Sequence, residues 1–338
     1  GLIYIYNHTE NNIPLQLNTE ADKKAAADKT VRVHFATGTV NGLFNIEKHT
    51  DEDWVEILNK AEYTEIDVIG IHSHVVWPTA EYKKYNTQNI EQMTNYMDAI
   101  VDQQKEFMGL YHHNKLFRNR MLMHRNYSAG AAYASSYRTS YNLGYSNVFC
   151  TESSFKSRLW VVGHKVGHAN QVRPDAKWGG TTETTNNLYA MYNQEQILGE
   201  ANRLTSGKNN DNGNTYEVAF DLIIKGKQPW VLPNNYDKYI TKLAPFWQLK
   251  LYFVDIMKQE HFYHDLFEHY RTTPDLSQSA LGDSYHGMLQ LDFVRQVCNT
   301  GKINLLEFFE EWGFLRPVDV VVNDYGNKTI KITQEQID

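Results

Sequence analysis

With 338 residues, 41% of them hydrophobic and 13% aromatic, the chain has ample material for a large buried core. Its net charge of −7, from 40 acidic against 33 basic residues, comes with no basic run long enough to track phosphates, which argues against nucleic acid as a partner. No apolar run approaches the roughly 20 residues of a membrane helix, and Cys150 and Cys298 are too few to imply a disulfide framework.

The chain opens at Gly1 directly in the strand-like Leu2–Tyr6, as expected of a fragment excised from a longer, targeted precursor. Val31–Phe35 and Ile66–His74 also read as strands and Asp51–Ala61 as a helix, so the first 76 residues are expected to be α+β. Gln88–Leu110 places Ile90, Met93, Met97, Ile100 and Val101 on one face of a long amphipathic helix, with a strand-like Arg120–His124 after it. Ala129–Ala134 and the Ser/Tyr-rich residues up to Gly144 predict a loop running over a cleft. Leu159, Val162, Val166 and Ala169 recur at helical spacing, predicting a helix over Ser157–Val172 that Pro174 stops. Thr184 or Thr185 is the expected N-cap of the next helix, over Leu188–Leu204.

Lys208–Asn214 is an unbroken polar and glycine stretch that cannot bury anything, and it marks a lobe boundary. Beyond it, helices are expected over Thr215–Lys225, Trp247–His269, Tyr285–Cys298 and Leu305–Trp312. Val318–Val322, a turn at Asp324–Gly326 and Thr329–Ile332 then read as a hairpin-like tail. The expected organisation is an α+β lobe over 1–207, a helical lobe over 208–316 and the tail over 317–338, with a groove between the lobes.

Chemistry concentrates in His164-Lys165-Val166-Gly167-His168. Histidines four apart on a helix lie on one face, within reach of a single ion. Chance alone supplies roughly 0.6 such pairs in a chain of this histidine content, so the spacing needs its context. Glu183, just before the next helix, would add an oxygen and leave a position open on zinc, as catalytic sites require. The residue after the first histidine is normally a glutamate that takes a proton from water; here it is Lys165. His264 with Glu268, His72 with His74, and His112 with His113 are rival groupings. They read more simply as a solvated helix face, hydrogen-bonded histidines near a sheet edge, and imidazoles at a helix C-terminus. Trp178, beside Gly179-Gly180, and Trp77 are candidate platforms for stacking a sugar.

The run Gly-His-Lys-Val-Gly-His-Ala-Asn-Gln, followed by Glu183-Thr-Thr-Asn-Asn-Leu-Tyr, resembles the M60 (enhancin-type) metallopeptidases, whose pattern is HExxH, a spacer and Glu. Val31-Arg-Val-His-Phe, Asn41-Gly-Leu-Phe, Asp67-Val-Ile-Gly and Leu243-Ala-Pro-Phe-Trp-Gln-Leu-Lys-Leu-Tyr-Phe are similar to M60-like domains of gut Bacteroidetes. The resemblance implies a two-lobed, zincin-like (gluzincin) fold and a zinc ion held by His164, His168 and Glu183. It also implies secretion or surface display, and action on O-glycosylated, mucin-type proteins. The general-base position falls on Lys165, which departs from the pattern.

A cation about 4 Å from a bound metal costs on the order of 4 kcal/mol per unit charge at an effective dielectric near 20. Lys165 could swing into solvent, lose its proton and serve as an unorthodox base, or replace the metal by pairing with Glu183. Two functions follow: a zinc peptidase directed at glycoproteins, its hydrolysis weakened by Lys165, or a pseudopeptidase that binds glycosylated chains without cutting them.

Overall fold

A computed structural model describes residues 33–38, 41–128, 130–172, 176–200, 203–205, 214–232 and 239–338. The expected strand Leu2–Tyr6, the start of Val31–Phe35, the stop at Pro174 and nearly all of the polar stretch Lys208–Asn214 lie outside these residues; residues 33–35 are not in a strand.

Among the described residues, the first half is built on a six-stranded mixed sheet, ordered β1-β2-β3-β4-β6-β5. Its strands are β1 (Leu43–Asn45), β2 (Glu65–Ile69), β3 (Ser73–Pro78), β4 (Met121–Arg125), β5 (Ala132–Ala134) and β6 (Arg138–Tyr141). β1 runs parallel to β2, and β3, β4 and β6 run parallel to one another. β2 pairs antiparallel with β3, and β5 antiparallel with β6 at the outer edge. Helix α1 (Asp51–Lys60) starts where Thr50 and Asp53 cap each other reciprocally. A short α2 (Thr79–Tyr85) leads to α3 (Ile90–Phe107), whose Ile90, Met93, Met97, Ile100 and Val101 are all buried, as their spacing predicts.

Two segments read differently in three dimensions. Ile66–His74 is not one strand but the end of β2, a turn and the start of β3. Asp98 on α3 holds that turn by accepting from the backbone N–H groups of Ile71, His72 and Ser73. Residues 130–144 are not a plain loop either: they carry β5 and β6, and β5 is half exposed.

After α4 (Ser146–Cys150) come α5 (Glu152–Asn170) and α6 (Asn186–Leu198), the most closely packed helix pair. Glycine makes the approach possible. A Cβ on Gly167 would lie 2.3 Å from the Asn186 carbonyl oxygen, and one on Gly163 would lie 3.0 Å from Asn193 Oδ1. α6 ends at Gly199, with φ of 70°, short of the expected Leu204.

The second half is helical: α7 (Thr215–Ala219) running into a π turn, α8 (Tyr239–Lys250) doing the same, then α9 (Phe262–Thr272), α10 (Gln278–Leu281), α11 (Tyr285–Gly301) and α12 (Leu306–Glu311). Trp247–His269 is therefore two helices, broken where Lys258 takes a left-handed φ of 57°. The hairpin of β7 (Val318–Asn323) and β8 (Asn327–Ile332), followed by a last turn α13 (Gln334–Ile337), is no free tail, because β8 packs on α11.

Apolar side chains gather in two clusters. One lies between the sheet and α1–α5, around Phe44, Trp54, Trp77 and Phe155. The other lies among the later helices, around Trp178, Trp230, Phe246 and Phe293. Cys150 is buried and Cys298 half-buried, and both are free thiols.

Candidate metal centre

α5 presents His164 and His168 one turn apart, and the turn leading into α6 brings Glu183 against both. His164 Nε2 lies 3.1 Å and His168 Nε2 3.3 Å from Glu183 Oε2, and the two Nε2 atoms are 3.2 Å apart. Ligands about 2.05 Å from a tetrahedral zinc stand about 3.3 Å from one another. The triangle therefore fits one such ion, and its three residues form a potential metal-holding group.

The histidine rings are held from behind. His164 Nδ1 is 2.6 Å from Asn187 Oδ1, and the Asn187 amide is fixed in turn by donating to the Glu183 carbonyl at 2.8 Å. His168 Nδ1 is 3.4 Å from Gln171 Oε1, whose Nε2 donates to Thr185 Oγ1 at 2.7 Å and to the Thr182 carbonyl at 3.1 Å. In the tautomer that suits a metal, Nδ1–H directed at these amide oxygens would leave each Nε2 lone pair free for the ion. Thr185 stands at the N-cap position of α6 but makes no capping bond there, its hydroxyl instead serving Gln171. Asn186 Nδ2 also approaches, 3.1 Å from His168 Nε2 and 3.3 Å from the His164 carbonyl.

Glu183 is clamped from its other side by Tyr325, whose hydroxyl donates to Oε1. Asp324, next to it in the β7–β8 turn, accepts from the backbone N–H groups of Gly180 at 2.8 Å and Thr182 at 3.3 Å. Burial pushes the Glu183 carboxyl up, but hydrogen bonds with His164, His168 and Tyr325 outweigh it and hold the group well below the usual carboxylate range. Burial lowers the His168 imidazole, against the raising effect of Glu183.

A pocket of about 400 Å³ opens beside these residues. Its walls include the edge strand β5, Lys165, His168, Lys177, Asp324, Tyr325 and Lys328. Lys165 is half-buried, its ammonium lowered by burial and raised by Glu183, and among the described residues it makes no ion pair. The pairing of Lys165 with Glu183 is thus not what the structure shows.

Trp178 borders the pocket yet is only 1% exposed, its ring enclosed by Trp230, Phe246 and Phe293. It offers no face for a sugar. Neither does Trp77, which is fully buried against Phe149. His72 sits in the β2–β3 turn against Asp102, and His74 pairs with Asp67. His264 is buried, while Glu268 pairs with Lys115 and Arg271. The residues that sequence reasoning missed are Asn187, Gln171, Asp324 and Tyr325. The first two carried a readable signal, four past Glu183 and three past His168 on neighbouring turns.

Residues 41–313 fit the family model for peptidase M60, enhancin and enhancin-like proteins. Among solved structures, a metallopeptidase in complex with Tn antigen is 23% identical, with a TM-score of 0.76 over 90% of this chain and 55% of that one. A metallopeptidase from Bacteroides thetaiotaomicron is 24% identical, with a TM-score of 0.74 over 90% and 50%. The protein YghJ of Escherichia coli O78:H11 (strain H10407), named as a lipoprotein, is 26% identical over 188 residues, 51% of this chain and 12% of its own length. The chain thus spans about half of the solved chains it matches and a small part of that longer protein. No helix among the described residues is long and apolar enough to cross a membrane. With the family model covering most of its length, the chain belongs to the M60, enhancin and enhancin-like, peptidase family.

Proposed function

We propose that this domain acts outside the cell or at its surface, holds zinc through His164, His168 and Glu183, and captures O-glycosylated protein chains in the adjoining cleft while cutting them weakly or not at all. The observation that carries the proposal is the pairing of an intact, buttressed ligand triangle with a lysine at the proton-accepting position. Zinc bound there would supply Lewis-acid polarisation of a peptide carbonyl. The chain's own residues supply the rest of the reading. Asn187 and Gln171 orient the imidazoles, and Tyr325 orients the carboxylate. Among the described residues, the edge strand β5 pairs with no strand on its outer side, which suits an extended peptide beside the pocket. Lys165, Lys177 and Lys328 outnumber Asp324 among the charged residues lining that pocket, which favours glycans bearing acidic groups. The Tn antigen in a structurally similar metallopeptidase supports a glycan-directed cleft. The cleft takes its walls from both sides of the proposed 1–207 and 208–316 lobes and from the 317–338 hairpin.

A protonated Lys165 accepts no proton, so the step that a glutamate performs at this position lacks its base. The rival reading, a working peptidase in which neutral Lys165 is that base, draws on the burial that lowers its ammonium. Intact-mass analysis of a mucin-type glycopeptide incubated with the zinc-loaded domain separates the two. The expected result is a substrate bound but whole, with Lys165→Glu cleaving it. Cleavage by the unmodified chain at ordinary enzyme concentration would overturn the proposal in favour of the rival.

A further inference from the structure

A second group of metal-binding side chains lies where the end of α3 meets the start of α9. Gly109, with φ of 71°, turns the chain out of α3; a Cβ there would lie 2.5 Å from His264 Cβ, so only glycine allows this contact. The junction is fixed by Lys115 pairing with Glu268 at 2.6 Å and by Arg271 Nη2 donating to the Met108 carbonyl at 2.8 Å. It places His112 and His113 over Asp265. His113 Nε2 is 3.2 Å and His112 Nε2 3.7 Å from Asp265 Oδ1, and one ligand atom from each residue lies within 4.8 Å of the other two. The ring of His261 stacks on His112 with centroids 3.8 Å apart, which fixes the direction in which His112 points. Among the described residues, His113 Nε2 is buried and makes no hydrogen bond, although the carboxylate oxygen is so close. A donor atom shielded from water and out of line for a hydrogen bond fits a cation placed between the two groups.

We infer that His112, His113 and Asp265 form a second metal site, which takes a divalent transition metal such as Zn²⁺, Co²⁺ or Ni²⁺ and clips the end of α3 to α9. Two imidazoles and a carboxylate suit these ions better than Mg²⁺ or Ca²⁺, which prefer all-oxygen shells. The His113–Asp265 separation already matches the spacing of about 3.3 Å between ligands of a tetrahedral ion, the His112–Asp265 distance of 3.7 Å is slightly longer, and the two imidazoles offer ligand atoms within 4.8 Å of each other. Half-exposed His112 leaves room for water to complete the shell. The clip has a mechanical consequence: α3 buries Ile90 to Val101 in the sheet-side core and Phe107 in the helical one, so the ion would tie its far end to the helical half.

The test is cobalt titration of the whole chain carrying His164→Ala and His168→Ala, so that the first centre does not contribute. One equivalent of Co²⁺ is expected, with a visible d–d band and a rise in Tm of roughly 3–5 °C at a hundredfold excess over Kd. His113→Gln and Asp265→Asn should each remove both effects, and Mg²⁺ or Ca²⁺ should produce neither. As a check independent of that background, zinc content of the otherwise unaltered chain should be one equivalent lower in His113→Gln. Binding that survives both substitutions, or zinc content that His113→Gln leaves unchanged, overturns the assignment.

Discussion

Tyr325 donates its hydroxyl to Glu183 across 142 positions of sequence, from an exposed hairpin turn to a half-buried candidate ligand. The bond ties the last strands of the chain to the candidate metal centre, and Asp324 beside it pins Gly180 and Thr182 of the same loop. Residues that hold ligands in place commonly contribute ten- to a hundredfold in affinity. Tyr325→Phe is expected to weaken zinc binding about tenfold with little change in fold, measured by competition with a chromophoric chelator.

Asn187 has a deeper hold. It is fully buried and meets both His164 Nδ1 and the Glu183 carbonyl. Asn187→Leu keeps the volume but strands a buried ring N–H, so zinc affinity should fall by about ten- to a hundredfold. Stability should fall with it by about 1–3 kcal/mol. Urea midpoints of the zinc-free and zinc-loaded forms read both effects. An unchanged zinc affinity would remove Asn187 from the site.

The glycine stripe on α5 predicts an order of damage. Gly167→Ala drives a methyl group into the Asn186 carbonyl, where backbone cannot yield, and should cost about 1–3 kcal/mol. Gly163→Ala meets the Asn193 side chain at 3.0 Å and should cost less. Thermal midpoints of the two variants check the ranking.

Lys242 gives a pH signature. It is 2% exposed, donates to the Gly180 carbonyl at 2.7 Å, and burial pulls its ammonium down to about 8 from an ordinary value of 10.5. Below pH 8 both the folded and unfolded chains carry this proton, and folding bears the full penalty of about 3 kcal/mol. As pH rises from 8 toward 10.5 the folded chain releases the proton first, and stability recovers. Relative to Lys242→Met, the unmodified chain should therefore gain roughly 2 kcal/mol between pH 7.5 and 9.5, read from urea midpoints.

Local pattern carried much of this structure into the sequence, and long-range contact accounts for most of what it hid. The buried face of α3 and the pair His164 and His168 are periodic, so both could be read directly. The turn inside Ile66–His74 depends on Asp98, which no local pattern announces. Trp247–His269 keeps helical spacing across its break, and Lys258 takes a left-handed conformation without the glycine that would have signalled it. Strand β5 has only Ala132, Tyr133 and Ala134 to display an alternation, too little for a period to show. Trp178 looked available because two glycines follow it, yet the first of them admits the β7–β8 hairpin: a Cβ on Gly179 would lie 2.8 Å from Lys328 Cβ.

Helix α5 contributes Leu159, Val162 and Val166 to one apolar cluster and Trp160 to the other. Its imidazoles are therefore wedged like a keystone, shaped by packing on both flanks and not by whatever ion they hold. Exchanging one side chain that faces the cleft, as at Lys165, leaves that masonry standing. In such a domain the chemistry of the cleft wall and the integrity of the fold are separable by a single substitution.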